Sequence, residues 1–255
     1  MRILEVFRYM EVMMELEFRR IMHDRTELYT RAIQPILWLV LYGTVMSIVR
    51  AIPTGNVSYI AYITPGILLQ STTFVSVFFG LQMVWERESG VLKKLLTTPL
   101  PRSSIAIGRS MAAGIRSLFQ ILLIVPVAML LGVEFINVLY FLLSVLIIFL
   151  VSGGFASLSI IIASFMKTRE RFMGIGQAIT MPLFFASNAL YPVELMPKAI
   201  QYFALFNPMS YAVSSTRALM ITGDLSTLPY DVAAIIIFDI VIFIIASIAF
   251  KRIIE

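Results

Sequence analysis

Long uncharged runs alternate with short charged ones along this chain. Uncharged stretches occupy 32–49, 51–85, 117–133, 135–166 and 172–193, and 232–250 is broken only by Asp239. About 20 apolar residues in a helix cross a bilayer core. The pattern therefore predicts six membrane-spanning helices, drawn at 32–50, 59–83, 112–132, 138–165, 172–189 and 232–250. Ahead of them, Ile3, Phe7, Met10, Met14, Phe18 and Ile21 recur at helical spacing, with Glu5, Arg8, Glu15 and Arg19 on the opposite face. Residues 1–31 read as an amphipathic interfacial helix, packed on lipid, on a soluble partner, or on both. The segment 194–221 is apolar but interrupted by Glu194, Pro197, Lys198, Pro208 and Arg217. We read 189–221 as two short re-entrant helices dipping into the outer leaflet and broken near Asn207-Pro208, because irregular backbone at depth persists only against protein. The expected fold class is all-α integral membrane, a single transmembrane domain over 1–255.

Composition and charge sharpen this picture. The 255 residues are 59% hydrophobic and 14% charged, against about 45–50% and 25% in soluble domains. That excludes a secreted disulfide module, a nucleic-acid-binding domain and an ordinary soluble enzyme. Of the 20 Lys and Arg, 17 fall on the side of the termini and of the 84–111 and 166–171 loops, leaving only Arg50, Lys198 and Arg217 opposite. Both termini are therefore expected in the cytoplasm, and the net charge of +5 needs no polyanionic partner. Arg116, near the cytoplasmic end of its span, is expected to snorkel to the headgroups.

Candidate chemistry is sparse. There is no cysteine, so disulfides and thiolate sites are excluded, and the sole histidine is His23 in the leader. No Gly-Lys pair occurs, so the chain has no phosphate loop of its own. With Asp239 the only carboxylate in the spans, neither a catalytic dyad nor a metal site is expected. Asp239 stands open between a functional charge and a hydrogen-bonded tie between two helices. The string VSGGFAS (Val151–Ser157) is similar to the signature loop of transport ATPases, but it lies inside the fourth span, where close helix packing through small residues accounts for it. In the second span Gly66, Gln70 and Thr73 share one face that turns from lipid, open to packing, dimerisation or a solute path. Trp38 and Tyr42, with Phe184 and Phe185, offer an aromatic wall for an amphiphile or plain core packing.

The most distinctive segment is WERESGVLKKLLTTPLPRSSIAIGRS, Trp85 to Ser110. Val91, Leu92, Leu95 and Leu96 form one apolar stripe, flanked by Glu86, Arg87, Lys93 and Lys94 and stopped by Pro99 and Pro101. Such a knob suits docking into a groove on a soluble partner or lying on headgroups. The run ERESGVLKKLLTTPLPR resembles the loop of ABC-2 type transporter permeases, the membrane subunits of ATP-binding-cassette exporters. The segment Phe184 to Met220 is similar to the family's stretch after the fifth span, with Tyr191-Pro192, Pro197, Asn207-Pro208, Tyr211 and Arg217 in order.

The resemblance implies a permease that moves an amphiphilic drug, lipid or lipid-linked glycan outward, closest to the daunorubicin-resistance and nodulation-export type. It implies a prokaryotic cell membrane, a homodimer with the path between protomers, and two copies of a separate ATPase subunit that binds the ATP and Mg. Glu86 to Leu96, with Gly90 in its polar turn, would be the coupling helix in the 84–111 loop, the leader a connecting helix, and 189–221 the roof of the path. The competing readings are a proton-coupled carrier using Asp239 and a membrane scaffold that transports nothing.

Overall fold

The computed structural model of the chain describes residues 3–23, 25–50, 52–55, 57–90 and 102–252. Helix α1 spans Ile3–His23. Helix α2 runs as Arg25–Leu37, widens into a π-helical stretch at Trp38–Gly43 and ends as Thr44–Val49. Then follow α3 (Tyr59–Glu88), α4 (Arg102–Leu130), α5 (Val138–Phe165) and α6 (Arg169–Phe185). Two short helices, α7 (Lys198–Phe206) and α8 (Pro208–Arg217, with a π turn at Ala218–Thr222), precede α9 (Leu228–Arg252). No strand occurs among the described residues.

Local sequence explains several boundaries. The Ser58 hydroxyl accepts the Ala61 N–H at 3.3 Å and the Asn137 side chain accepts the Tyr140 N–H at 2.8 Å, capping α3 and α5 where apolar runs begin. Gly90, at φ +73°, ends α3 in a left-handed turn that a side chain rarely adopts. Pro35 lacks an N–H and crowds the preceding turn, and the wider π stretch of α2 follows it directly.

Helix α5 sits at the centre, packed against α3, α4 and α9, while α3 also touches α2, α6 and α8. Ile67, Leu68, Ile124, Ile148 and Phe155 fill the shared core. Helices α2 and α9 flank it, adding Leu39 and Ile235 to the core, and expose apolar side chains such as Ile48 and Ile237. The small residues of VSGGFAS serve helix packing: a Cβ on Gly154 would run into the Asp239 carboxyl on α9.

Among the described residues five helices are long and apolar enough to cross a membrane: Tyr29–Val49, Tyr59–Glu88, Gly108–Leu130, Val138–Phe165 and Leu228–Ala249. The expected fifth span, 172–189, forms α6, whose 17 residues rise only about 26 Å. Even so, 169–190 follows α3 along its whole length. Arg169 Nε donates to Glu88 Oε2 at 2.8 Å at one end, Phe172 lies against Gly80 and Gly176 against Val77 further along, and the Tyr59 hydroxyl donates to the Leu190 carbonyl at 3.0 Å at the other end.

The expectation for Arg116 is corrected. Its Nε donates to Glu17 of α1, and both residues are buried, so the guanidinium anchors the leader rather than reaching for headgroups. Phe18 joins the same contact, 6.0 Å from Phe119 on α4. The leader's inner face thus rests on α4 as well as carrying an apolar stripe.

Candidate functional site

Three helices that the sequence separates widely converge on one cleft. Arg31, Gln34 and Pro35 of α2, Gln70, Thr73 and Phe74 of α3, and Thr180 and Phe184 of α6 line it, with Met209 of α8 closing its inner end. The Thr73 hydroxyl points at Met209 Sδ, 3.8 Å away, and Ser71 beside it donates to Gln120 Oε1 of α4 at 3.2 Å. Polar side chains at mid-helix depth therefore face a shared space rather than lipid.

Beside the cleft stands the aromatic wall. Trp38 lies 5.0 Å from Tyr42, 6.4 Å from Phe184 and 6.3 Å from Phe185, mostly edge to face, and Tyr42 continues the row to Tyr59 at 6.3 Å. Of the candidate path residues, Gln70, Thr73 and Phe184 line the cleft and Trp38, Tyr42 and Phe185 flank it. Gly66 does not: a Cβ there would meet the Ala189 backbone at 2.7–2.8 Å, so this glycine admits the chain that follows α6. The sequence reading missed Arg31 and Gln34, although 31, 34, 38 and 42 recur on one face of α2.

The motif residues of 189–221 form a compact insert. Pro192 precedes a single 3-10 turn, Pro197 precedes α7, and Pro208 opens α8. Asn207 at the corner donates to the Leu183 and Ala186 carbonyls at 2.7 and 3.1 Å and accepts the Met209 N–H at 3.0 Å. The Tyr191 and Tyr211 hydroxyls donate to the Phe185 and Leu205 carbonyls. Arg217 is buried: it donates to the Tyr62 carbonyl at 3.1 Å and the Asn188 carbonyl at 2.7 Å, with its guanidinium 3.7 Å over the Tyr62 ring. The corner at Asn207 thus lies level with the middle of α3, near Thr73, while Arg217 returns to the Tyr59 end.

At the opposite end of α3, Glu86 is buried and paired with Arg109 of α4, with Gln82 donating to it at 3.1 Å. Arg87 is half-buried and Gly90 forms the turn. Glu86 thus points into the helix bundle and ties the end of α3 to α4. The candidate coupling residues Val91, Leu92, Lys93, Lys94, Leu95, Leu96 and Pro99 lie outside the described residues. Asp239 is buried where α9 meets α5, and its Oδ1 has no hydrogen-bond partner among the described residues.

Comparison with known families decides the class. The model of the ABC-2 type transporter family matches residues 9–221. The chain belongs to the ABC-2 type transporter family. This ABC-2 permease is 29% identical over 222 residues, 86% of the chain and 76% of the relative, to a protein of Porphyra purpurea named as the transport permease ycf38. Against the ycf38 protein of Pyropia yezoensis identity is 32% over 189 residues, 73% of this chain and 65% of that one. It is also 25% identical over 203 residues, 78% of the chain and 70% of the relative, to the daunorubicin resistance ABC transporter permease protein DrrB1 of Streptomyces coeruleorubidus. The ABC-2 permease is thus a transmembrane component of an ABC transporter rather than its ATPase, and permeases of this family work with an ATP-binding subunit.

Proposed function

We propose that this ABC-2 permease is half of a homodimeric exporter in a prokaryotic cell membrane, driven by two copies of an ATPase subunit, which moves an amphiphile outward along the α2–α3–α6 cleft. The observation that carries the reading is the cleft itself, where polar groups at mid-helix depth and an aromatic wall from α2, α3 and α6 meet. An apolar wall beside Gln34, Gln70 and Thr73 suits a ligand with one oily and one polar part, such as a drug, lipid or lipid-linked glycan.

In this reading α6, together with the residues up to Leu190, is the fifth of six crossings, supported by its run along all of α3. Both termini and the 84–111 loop then face the cytoplasm, and the basic-residue bias agrees. The leader lies at the interface with its inner face on α4. Helices α7 and α8 form a re-entrant roof over the cleft, and Asn207 and Arg217 fasten the two limbs.

The 84–111 loop couples the ATPase to this path. Its flanks are tied to three spans, through Glu86 to Arg109 of α4 and through Glu88 to Arg169 of α6, so displacement of the loop would tilt α3, α4 and α6 together. ATP and Mg bind on the partner. Asp239, with α5 between it and α3, serves helix packing in this account, which argues against a proton-coupled carrier.

The test is to purify the complex from its native membrane. An ATPase subunit in equal ratio, lost on Leu92→Asp while the permease still inserts, is the expected result. Retention of the subunit with undiminished export in both Leu92→Asp and Gly90→Pro would overturn it.

A further inference from the structure

A second cavity of about 860 Å³ opens between α1, α2, α3, α4 and α6 at the Glu88 end of the bundle. Its walls carry Arg19, Arg20, His23, Arg31, Arg116 and Arg169 and, among the described residues, no carboxylate. Topological bias explains an excess of basic residues on one side of a membrane, but it does not make groups from four helices converge on one space. Carboxylates pair with several of these arginines. Glu15 takes Arg19, buried Glu17 takes Arg116, and Glu88 takes Arg169. Arg20 is loosely held, 3.9 Å from Glu17 and half-exposed. A guanidinium has five N–H donors in a fork that matches phosphate and carboxylate oxygens, so an arginine fixed by one edge still presents others. Phe78 and Trp85 add apolar surface to the same walls.

The cavity adjoins the α2–α3–α6 cleft at one residue. Arg31 lines both, and its guanidinium stacks 3.6 Å over the Phe78 ring. Gln34 and Gln70 lie next along the cleft. An arginine at this junction meets whatever passes from the wide charged chamber to the narrow aromatic one.

We propose that this chamber is the cytoplasmic entry site and that it selects amphiphiles with an anionic head, a phosphate or a carboxylate, which Arg20 captures and Arg31 passes to Gln34 and Gln70. The proposal rests on the permease reading above and narrows its substrate class: a cationic amphiphile would be repelled at the entry.

The experiment uses the permease with its ATPase in phosphatidylcholine vesicles, with stimulation of ATP hydrolysis as the readout. Three probes share one tail: an alkyl phosphate, a fatty acid and an alkyl trimethylammonium. The two anionic probes are expected to half-stimulate at concentrations at least about tenfold below the cationic one, and Arg31→Gln to raise those concentrations roughly tenfold for the anionic heads only. Arg20→Gln, at a half-exposed position, should act in the same direction and guards against a folding defect in the first variant. Lys167→Gln removes an exposed charge outside the chamber and should change nothing. Replacing a fifth of the phosphatidylcholine with phosphatidylglycerol, without probe, separates the sources: stimulation abolished by Arg31→Gln would make the bilayer's own headgroup the anion, and its absence would make it a free amphiphile. Equal stimulation by the cationic probe, or equal loss for all three heads in both variants, overturns the proposal. A complex without any ATPase partner would instead overturn the permease reading.

Discussion

Replacing Arg217 with methionine should release the α7–α8 insert while leaving the rest of the bundle folded. Methionine keeps most of the apolar volume but removes two charged hydrogen bonds, to Tyr62 and Asn188, and the stacking on the Tyr62 ring. Hydrogen bonds to a charged group contribute about 1.5–3 kcal/mol each, and a desolvated cation–π contact about 2. Against these stands the cost of burying the guanidinium, several kcal/mol, which methionine does not incur. The difference comes to about 2–3 kcal/mol, or roughly 30–150-fold in a local opening equilibrium. Hydrogen exchange of amides in 198–217, measured in detergent, should accelerate by that factor, while amides of α5 stay unchanged. Arg217→Lys, which keeps the charge but loses the fork, should fall between. Acceleration under about threefold, or an equal acceleration in α5, would refute the reasoning, the second because it means global rather than local loss.

Three further outcomes follow from the packing. Gly66→Val should cost about 1–3 kcal/mol by overpacking, visible as a lower Tm, because even a Cβ at this position meets the Ala189 backbone. Glu17→Gln should cost more, about 3–5 kcal/mol, by leaving buried Arg116 without its carboxylate; added Arg116→Met should recover part of it, and protease release of the leader reports both. Asp239→Asn should leave ATP-driven export within about twofold of normal and insensitive to a proton gradient, since the side chain packs on Gly154 away from the cleft.

What sequence could tell about this molecule divides by range. Spans two, three, four and six were legible because each is a long apolar run with at most one charge inside it, and Ser58 and Asn137 cap the second and fourth. The fifth, drawn at 172–189, is displaced: the helix runs Arg169–Phe185 and stops while the apolar run continues to Val193, because the following residues leave the axis to lie on Gly66. Helical spacing put Gly66, Gln70 and Thr73 on one face, yet only tertiary packing sends the first against a backbone and the others into a cleft. The aromatic wall likewise joins Trp38 to Phe184 across most of the chain. Glu17 and Arg116 looked like ordinary charges at a helix face and a span end. They are buried together across 99 residues of chain, and no local pattern carries that information.

The central claim is that the α2–α3–α6 cleft is the path. The chain has no cysteine of its own, so Gln70→Cys in the reconstituted complex gives a single thiol inside the cleft, and Ile237→Cys, exposed on α9, gives one facing lipid. Labelling with a membrane-impermeant thiol reagent should modify the first from the cytoplasmic side without nucleotide and from the outside when ATP is trapped, and the second in neither state. A thiol at position 70 as silent as the one at 237 from both sides, in a complex that still exports, would contradict the account.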